Sequence, residues 1–208
     1  MIGVIRVFSS EDKEVVELHG KLIQKRFGSE TRTACIPDQP KGIHDDETER
    51  IAVPKIVQKG IELAEAGCKA ILISCAADPA LEELRAKVSL PVIGAGSAAA
   101  LTAKALGKPV GVMGITETIP PAVEGQIADM ITGYRRPDGV TNTTDLLTEE
   151  GKQRGIQAAK DLIGNGAEVI VFACTGFATI GLKKVLEQEL AVPVIDAVEA
   201  GGRFAVLV

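Results

Sequence analysis

The 208 residues carry 23 Lys and Arg against 28 Asp and Glu, a formal charge of −5, with 46% hydrophobic but only 3% aromatic residues. An acidic chain this poor in stacking rings excludes a nucleic-acid surface, which needs a basic stripe and aromatic platforms; a small uncharged or anionic metabolite is the expected partner. Arg6 and the charged run Glu11-Asp12-Lys13-Glu14 interrupt any apolar leader, and no apolar stretch reaches the roughly 20 residues of a membrane span, so no membrane partner and a cytoplasmic location are expected.

In chain order, an apolar run over residues 2–8 suits a buried strand, and residues 11–27 place Val15, Leu18, Leu22 and Ile23 at helical spacing. A strand is expected near residues 30–36, then an irregular Pro-, Gly- and Asp-rich loop over 37–47, a helix over 48–66 and a strand ending at Cys75. A helix over 79–87 and a strand over 91–95 follow. This strand–helix beat predicts a mostly parallel sheet. A second series runs through a small-residue helix at 96–106, a strand at 110–113, a helix at 119–131, a loop at 133–142 and a helix at 148–163. It ends with a strand reaching Cys174, a helix at 178–190 and a strand at 194–195. Residues 196–208 fit either a helix packed on the first half or, through Phe204 to Val208, a strand.

The two series are copies. Sliding the chain by 99 positions lays Gly67-Cys-Lys-Ala-Ile-Leu-Ile-Ser-Cys75 on Gly166-Ala-Glu-Val-Ile-Val-Phe-Ala-Cys174, and Leu90-Pro-Val-Ile93 recurs as Val192-Pro-Val-Ile195. The expected architecture is α/β with two pseudosymmetric lobes, each a mostly parallel sheet flanked by helices, and the site in the cleft between them. Residues 1–96 with 197–208 form the first lobe, carrying Cys75; residues 97–196 form the second, carrying Cys174.

Four cysteines without close pairing do not make a disulfide framework in a reducing compartment, and without C-x-x-C spacing they do not make a zinc site. Cys35 and Cys68 read as packing residues, His19 as a helix-surface residue and His44 as a loop residue. Cys75 and Cys174 differ, because both fall at the carboxyl ends of parallel strands, where α/β proteins bind ligands. Amides of the following turns, at Ala76, Ala77, Thr175 and Gly176, can hold an anion or a developing enolate oxygen and lower the thiol pKa. Two thiols around one ligand couple, so the favoured reactive state is one thiolate with one thiol. A two-base racemase needs that state: one sulfur removes a carbon-bound proton and the other delivers a proton to the opposite face.

The neighbouring polar residues have two readings each. Asp78, before Pro79 and Glu82-Glu83, suits a cap on its own helix or a direct substrate or proton role. Ser9 and Ser10 suit a helix cap or hydroxyls aimed at ligand; so does Thr116 at the end of the 110–113 strand. Thr175-Gly176 is either a tight turn or a carbonyl ligand. Gly94-Ala95-Gly96 lacks the third glycine and later acidic residue of a dinucleotide fingerprint.

With Cys75-Ala-Ala-Asp-Pro79, Leu90-Pro-Val-Ile-Gly94 and Cys174-Thr-Gly176 in hand, the whole chain resembles the aspartate/glutamate/hydantoin racemase superfamily. The first of these motifs is similar to the Cys-x-x-Asp-Pro signature of the hydantoin and allantoin racemase branch. The resemblance implies a pyridoxal-phosphate-independent enzyme without cofactor or metal. It further implies that Cys75 and Cys174 are the acid/base pair, and that Thr116, Thr175 and the neighbouring amides hold the substrate. Ala76-Ala77 stands where glutamate and aspartate racemases carry Asn-Thr, and Ser9 where they carry an acidic residue. The leading expectation is a racemase acting beside a carbonyl, on a 5-substituted hydantoin or related cyclic ureide. An amino-acid racemase of the aspartate/glutamate type, a maleate-type cis–trans isomerase, a one-cysteine decarboxylase, a redox pair and a non-catalytic cytosolic metabolite-binding protein are the alternatives. A homo-oligomer is compatible with the sequence.

Overall fold

The computed structural model describes residues 1–208 as two four-stranded, all-parallel sheets flanked by helices. The first series is β1 (Ile2–Arg6), α1 (Lys13–Phe27), β2 (Thr31–Cys35), α2 (Asp46–Glu65), β3 (Ala70–Ser74), α3 (Leu81–Arg85) and β4 (Val92–Gly94). The second is α4 (Ala95–Leu106), β5 (Val110–Met113), α5 (Pro121–Ile127), β6 (Ile131–Arg135), α6 (Glu149–Gly164), β7 (Val169–Phe172), α7 (Gly176–Thr179), α8 (Leu182–Leu190), β8 (Val194–Ile195) and α9 (Ala197–Ala205). The strand orders, β2-β1-β3-β4 and β6-β5-β7-β8, are the same order twice, which gives the internal repeat its structural meaning.

Why these segments are strands follows from where they sit. The central strands β1, β3, β5 and β7 are buried at every residue, so they read as unbroken apolar runs, as strands covered on both faces must. Alternation along each divides two cores. Val4 and Leu72 of the first sheet and Val112 and Val171 of the second meet in one central cluster. Their neighbours Ile5, Ile71 and Ile73 face α2 and α3, and Met113, Ile170 and Phe172 face α6 and α8. The central cluster is closed by α4, where Ala98, Ala99 and Ala103 are buried. Alanine there lets the helix backbone approach both sheets without cavities.

Two sequence expectations are corrected and one open choice is decided. The 133–142 loop begins with an edge strand, β6, only partly buried; its Thr132, Gly133 and Tyr134 give no apolar alternation. The single helix at 178–190 is broken at Gly181, whose φ of 63° interrupts it into α7 and α8. The open choice for the last segment resolves as a helix, α9, capped by Asp196. It packs so closely on β3 and α1 that a Cβ at Gly201 would meet Leu72 at 2.4 Å and one at Gly202 would meet Ile23 at 2.8 Å.

Candidate active site

In each sheet the order reverses between its two central strands, β1/β3 and β5/β7, and the carboxyl ends of all four open onto one cleft of about 940 Å³. Such a reversal leaves a crevice at strand ends because the connections diverge to opposite faces. Arg6, Ser74, Cys75, Ala76 and Ala77 reach the cleft from the first lobe, and Thr116, Cys174, Thr175 and Gly176 from the second. His44 and the first turn of α2, through Asp46, Glu49 and Arg50, form a side wall.

The turn amides meet the sulfurs as the strand-end geometry demands. Gly176 N–H donates to Cys174 Sγ at 3.3 Å, Phe177 N–H faces the same sulfur, and Ala77 N–H faces Cys75. These bonds favour thiolate, yet they do not prevail. Burial pushes the Cys174 thiol up to about 11, and burial, reinforced by the charges of Cys174, Asp78 and Glu49, pushes Cys75 higher still. The expectation of depressed thiol pKa values is therefore corrected, because desolvation of a buried anion outweighs one or two amide bonds. Burial thus favours the thiol form of both groups at neutral pH, and the charge of Cys174 acts on Cys75.

The hydroxyls and carboxylate named from sequence are distributed differently. Thr175 lines the cleft and its Oγ1 donates across the lobes to the carbonyl of Ser74 at 3.1 Å. Thr116 also lines it, but its hydroxyl donates to Thr118 O at 2.7 Å while Tyr134 donates to its carbonyl at 2.7 Å. Ser9 and Ser10 are not among the cleft residues. Ser9 donates to Ile36 O at 3.0 Å and accepts from Gln39 N, pinning the loop after β2, and Ser10 accepts from Asp12 N at 3.2 Å. The residue that caps α1 is Asp12.

Asp78 is corrected on both of its readings. It neither lines the cleft nor caps α3; its carboxylate accepts from Gly96 N at 2.7 Å and Ser97 N at 2.8 Å, with Ser97 Oγ as third donor, and so caps α4. A Cβ at Gly94 would sit 2.2 Å from that carboxyl carbon, so glycine is needed there for the cap to enter. In the repeat, Gly94 corresponds to Asp196, which caps α9 from its own position by accepting from Val198 N at 2.8 Å and Glu199 N at 3.1 Å. One lobe supplies its cap from the cysteine loop and the other from the helix itself.

Burial raises the Asp196 carboxyl from 3.8 to about 6. A folded carboxyl that holds its proton more tightly than the unfolded one makes stability fall as pH rises from about 4 to about 6, by about 3 kcal/mol at most. Asp196→Asn, which keeps an acceptor at the cap, is expected to lack this fall. Urea unfolding of the two proteins across that range measures it, as the difference between the two stability curves.

Two residues were assigned no role from sequence. Arg6 is 3% exposed, stacks over Phe8 with its guanidinium carbon 4.4 Å from the ring centre, and donates to Val15 O and, at 3.1 Å, to Thr179 Oγ1. His19, expected on a helix surface, is 1% exposed and bridges Ser74 Oγ at 2.8 Å and Thr179 Oγ1 at 3.0 Å. The signal for His19 was its place four residues from both Val15 and Ile23, on the apolar stripe of α1. His44, read as a loop residue, is a loop residue that faces the cleft.

Paired parallel sheets of one topology, with thiols at equivalent strand ends in a single cleft, define the two-lobed racemase class of α/β proteins. The Asp/Glu/Hydantoin racemase family profile matches residues 2–205, and the chain belongs to that family. It is 28% identical over 183 residues to the hydantoin racemase of Pseudomonas sp. (strain NS671), a match spanning 80% of this chain and 68% of that protein. Among solved structures, the allantoin racemase from Klebsiella pneumoniae superposes with a TM-score of 0.78 at 24% identity, covering 99% of this chain and 86% of that one. The allantoin racemase from Pseudomonas fluorescens gives 0.82 at 20% identity, covering 99% and 89%. These two establish a common fold. No helix is long and apolar enough to cross a membrane, and no group of three or more His, Cys, Asp and Glu side chains is placed to hold a metal ion.

Proposed function

We propose that the chain is a racemase that uses Cys75 and Cys174 as acid and base on opposite faces of a carbon beside a carbonyl, acting on a 5-substituted hydantoin or related cyclic ureide. The observation that carries the reading is that both thiols line one cleft from equivalent strand ends of opposite lobes. The less elevated thiol, Cys174, ionises first. As thiolate it takes the carbon-bound proton, negative charge spreads onto the adjacent carbonyl oxygen, and Cys75 supplies its proton to the other face. The pair then holds one proton as before, displaced from one sulfur to the other. Amides of the two cysteine turns stabilise the oxygen that gains charge.

Charge in the cleft supports a neutral ring over an amino dicarboxylate. Of the two arginines lining it, Arg6 is turned onto Val15 O and Thr179, and Arg50 forks onto Glu47 at 2.8 and 2.9 Å. Both arginines are engaged by the protein's own acceptors, and Asp45, Asp46, Glu49 and Glu117 also line the wall, so the cleft carries more acidic than basic groups. The purified protein is expected to equilibrate an optically pure hydantoin and to exchange its ring C–H in deuterated solvent, followed by polarimetry and NMR. No enhancement over a protein lacking both thiols, across a panel of 5-substituents, overturns the assignment.

A further inference from the structure

We infer that Thr179 is a positioning residue for Cys174: Arg6 and His19 hold its hydroxyl and so fix the single turn of α7, whose leading amides meet the Cys174 sulfur. The route runs through one piece of backbone. Gly176 N–H donates to Cys174 Sγ at 3.3 Å, and Phe177 N–H faces the same sulfur. Ala178 N–H and Thr179 N–H both donate back to the carbonyl of Thr175, at 3.2 and 3.4 Å. The residues of α7 therefore move together, and Thr179 is the last of them. Its Oγ1 accepts from Arg6 Nη2 at 3.1 Å and pairs with His19 Nε2 at 3.0 Å.

Such a turn needs support from outside. A helix this short is unstable alone, and α7 has no side-chain cap at its start. Phe177, fully buried with its ring centre 4.9 Å from that of Phe172, ties the turn to its own sheet. The ties toward the first sheet are polar. At one end Thr175 Oγ1 donates to the Ser74 carbonyl at 3.1 Å; at the other, Thr179 meets Arg6 of β1 and His19 of α1, both buried. Repetition does not account for the Thr179 tie. The 99-residue shift lays Thr179 on Ala80, which has no hydroxyl, and the Cys75 turn is fastened instead by Asp78 to the start of α4. Each cysteine turn is thus held by one polar side chain bound to an element of the other series, through a residue the other turn lacks. Amide donors favour the charged form of the sulfur they meet, so a displaced α7 weakens the base that opens the reaction. The inference rests on the reading of Cys174 as a proton carrier.

The experiment is residue-resolved amide hydrogen exchange by NMR on the isotopically labelled whole chain, with steady-state racemase kinetics alongside. Thr179→Val keeps the side-chain shape and loses the hydroxyl. It is expected to speed exchange of the Gly176 and Phe177 amides about 10-fold or more, with the amides of Val4 and Val112 within about 2-fold of the parent. On an optically pure 5-substituted hydantoin, kcat should fall about 10-fold with KM within about 3-fold, the pattern of a displaced proton carrier whose substrate contacts remain. Thr179→Ser, which restores the hydroxyl, should stay within about 3-fold of the parent in exchange and in kcat. Unchanged Gly176 and Phe177 exchange in Thr179→Val overturns the inference. So does equal acceleration at Val4 and Val112, which marks general loosening, and so does a Thr179→Ser protein that behaves like Thr179→Val. If Thr179→Val does not fold, Thr179→Ala leaves room for water on Arg6 and His19 and is read against the same outcomes. If the parent protein racemises no hydantoin, the functional proposal fails, while the exchange rates still decide the tie.

Discussion

Cys75→Ser and Cys174→Ser are each expected to lose racemisation by about 1000-fold or more, since each removes one of two proton carriers that act as a unit. The informative part is what survives. A variant with one working thiol still removes a proton from the enantiomer that presents its C–H to that sulfur and returns a solvent-derived proton to the same face. Each variant should therefore wash deuterium slowly into one enantiomer with retention, and the two should choose opposite enantiomers. A one-thiol mechanism predicts instead that one substitution is nearly silent. In the parent enzyme, kcat/KM, which follows the ionisations of the free enzyme, should climb about tenfold per pH unit from neutrality, without a plateau below the Cys174 value of about 11; a plateau near pH 7 in free-enzyme alkylation contradicts the buried-thiol picture.

Gly96→Ala is the second large effect. A Cβ at Gly96 would lie 2.0 Å from the carbonyl oxygen of Ala76 and 2.8 Å from its carbonyl carbon, and neither is a flexible chain end. Something in the backbone must move, and both neighbours are functional: one side is the Cys75 turn, the other the Asp78-capped start of α4. Against a usual gain of helix propensity for Gly→Ala of about 1 kcal/mol, a net loss of about 3 kcal/mol or more is expected from overpacking and a broken buried cap. Activity should fall further than stability, because a displacement of the order of 1 Å in a proton-transfer site costs roughly 100-fold. Urea unfolding with racemase assays at a temperature where the variant is folded separates the two. The control is Gly125→Ala in α5, where a Cβ meets nothing within 4 Å.

The fold was legible wherever burial is two-sided. β1, β3, β5 and β7 announced themselves as apolar runs, and the repeat fixed their pairing into two like sheets with the cysteines at matching ends. β6 was not legible, because an edge strand buries one face incompletely and Tyr134 and Thr132 look like loop residues. Within the site, the cysteine positions and the amides beside them followed from the strand-end rule. The sign of the thiol shift did not, since it depends on how much water the closed turns exclude, a quantity set by both lobes together. Asp78 shows the same limit in another form. Local spacing can identify a capping residue, but its target here is α4, eighteen positions on in the sequence, so only the path of the chain reveals it. His19 was misplaced because its helical face and its polarity pointed in opposite directions; the face was the better guide.

The placement of α9 bears on how the molecule is made. The first sheet is synthesised before α9, yet its inner face is covered partly by α4 and partly by α9, with Val198 and Ala200 in the same cluster as Val4 and Leu72. A nascent chain is thus expected to hold this apolar surface open until α9 has been made, which works against the first half folding as a separate unit ahead of the second, the usual order for multidomain chains. The two halves of the repeat, although alike in strand order, share one apolar cluster and are expected to unfold in a single transition.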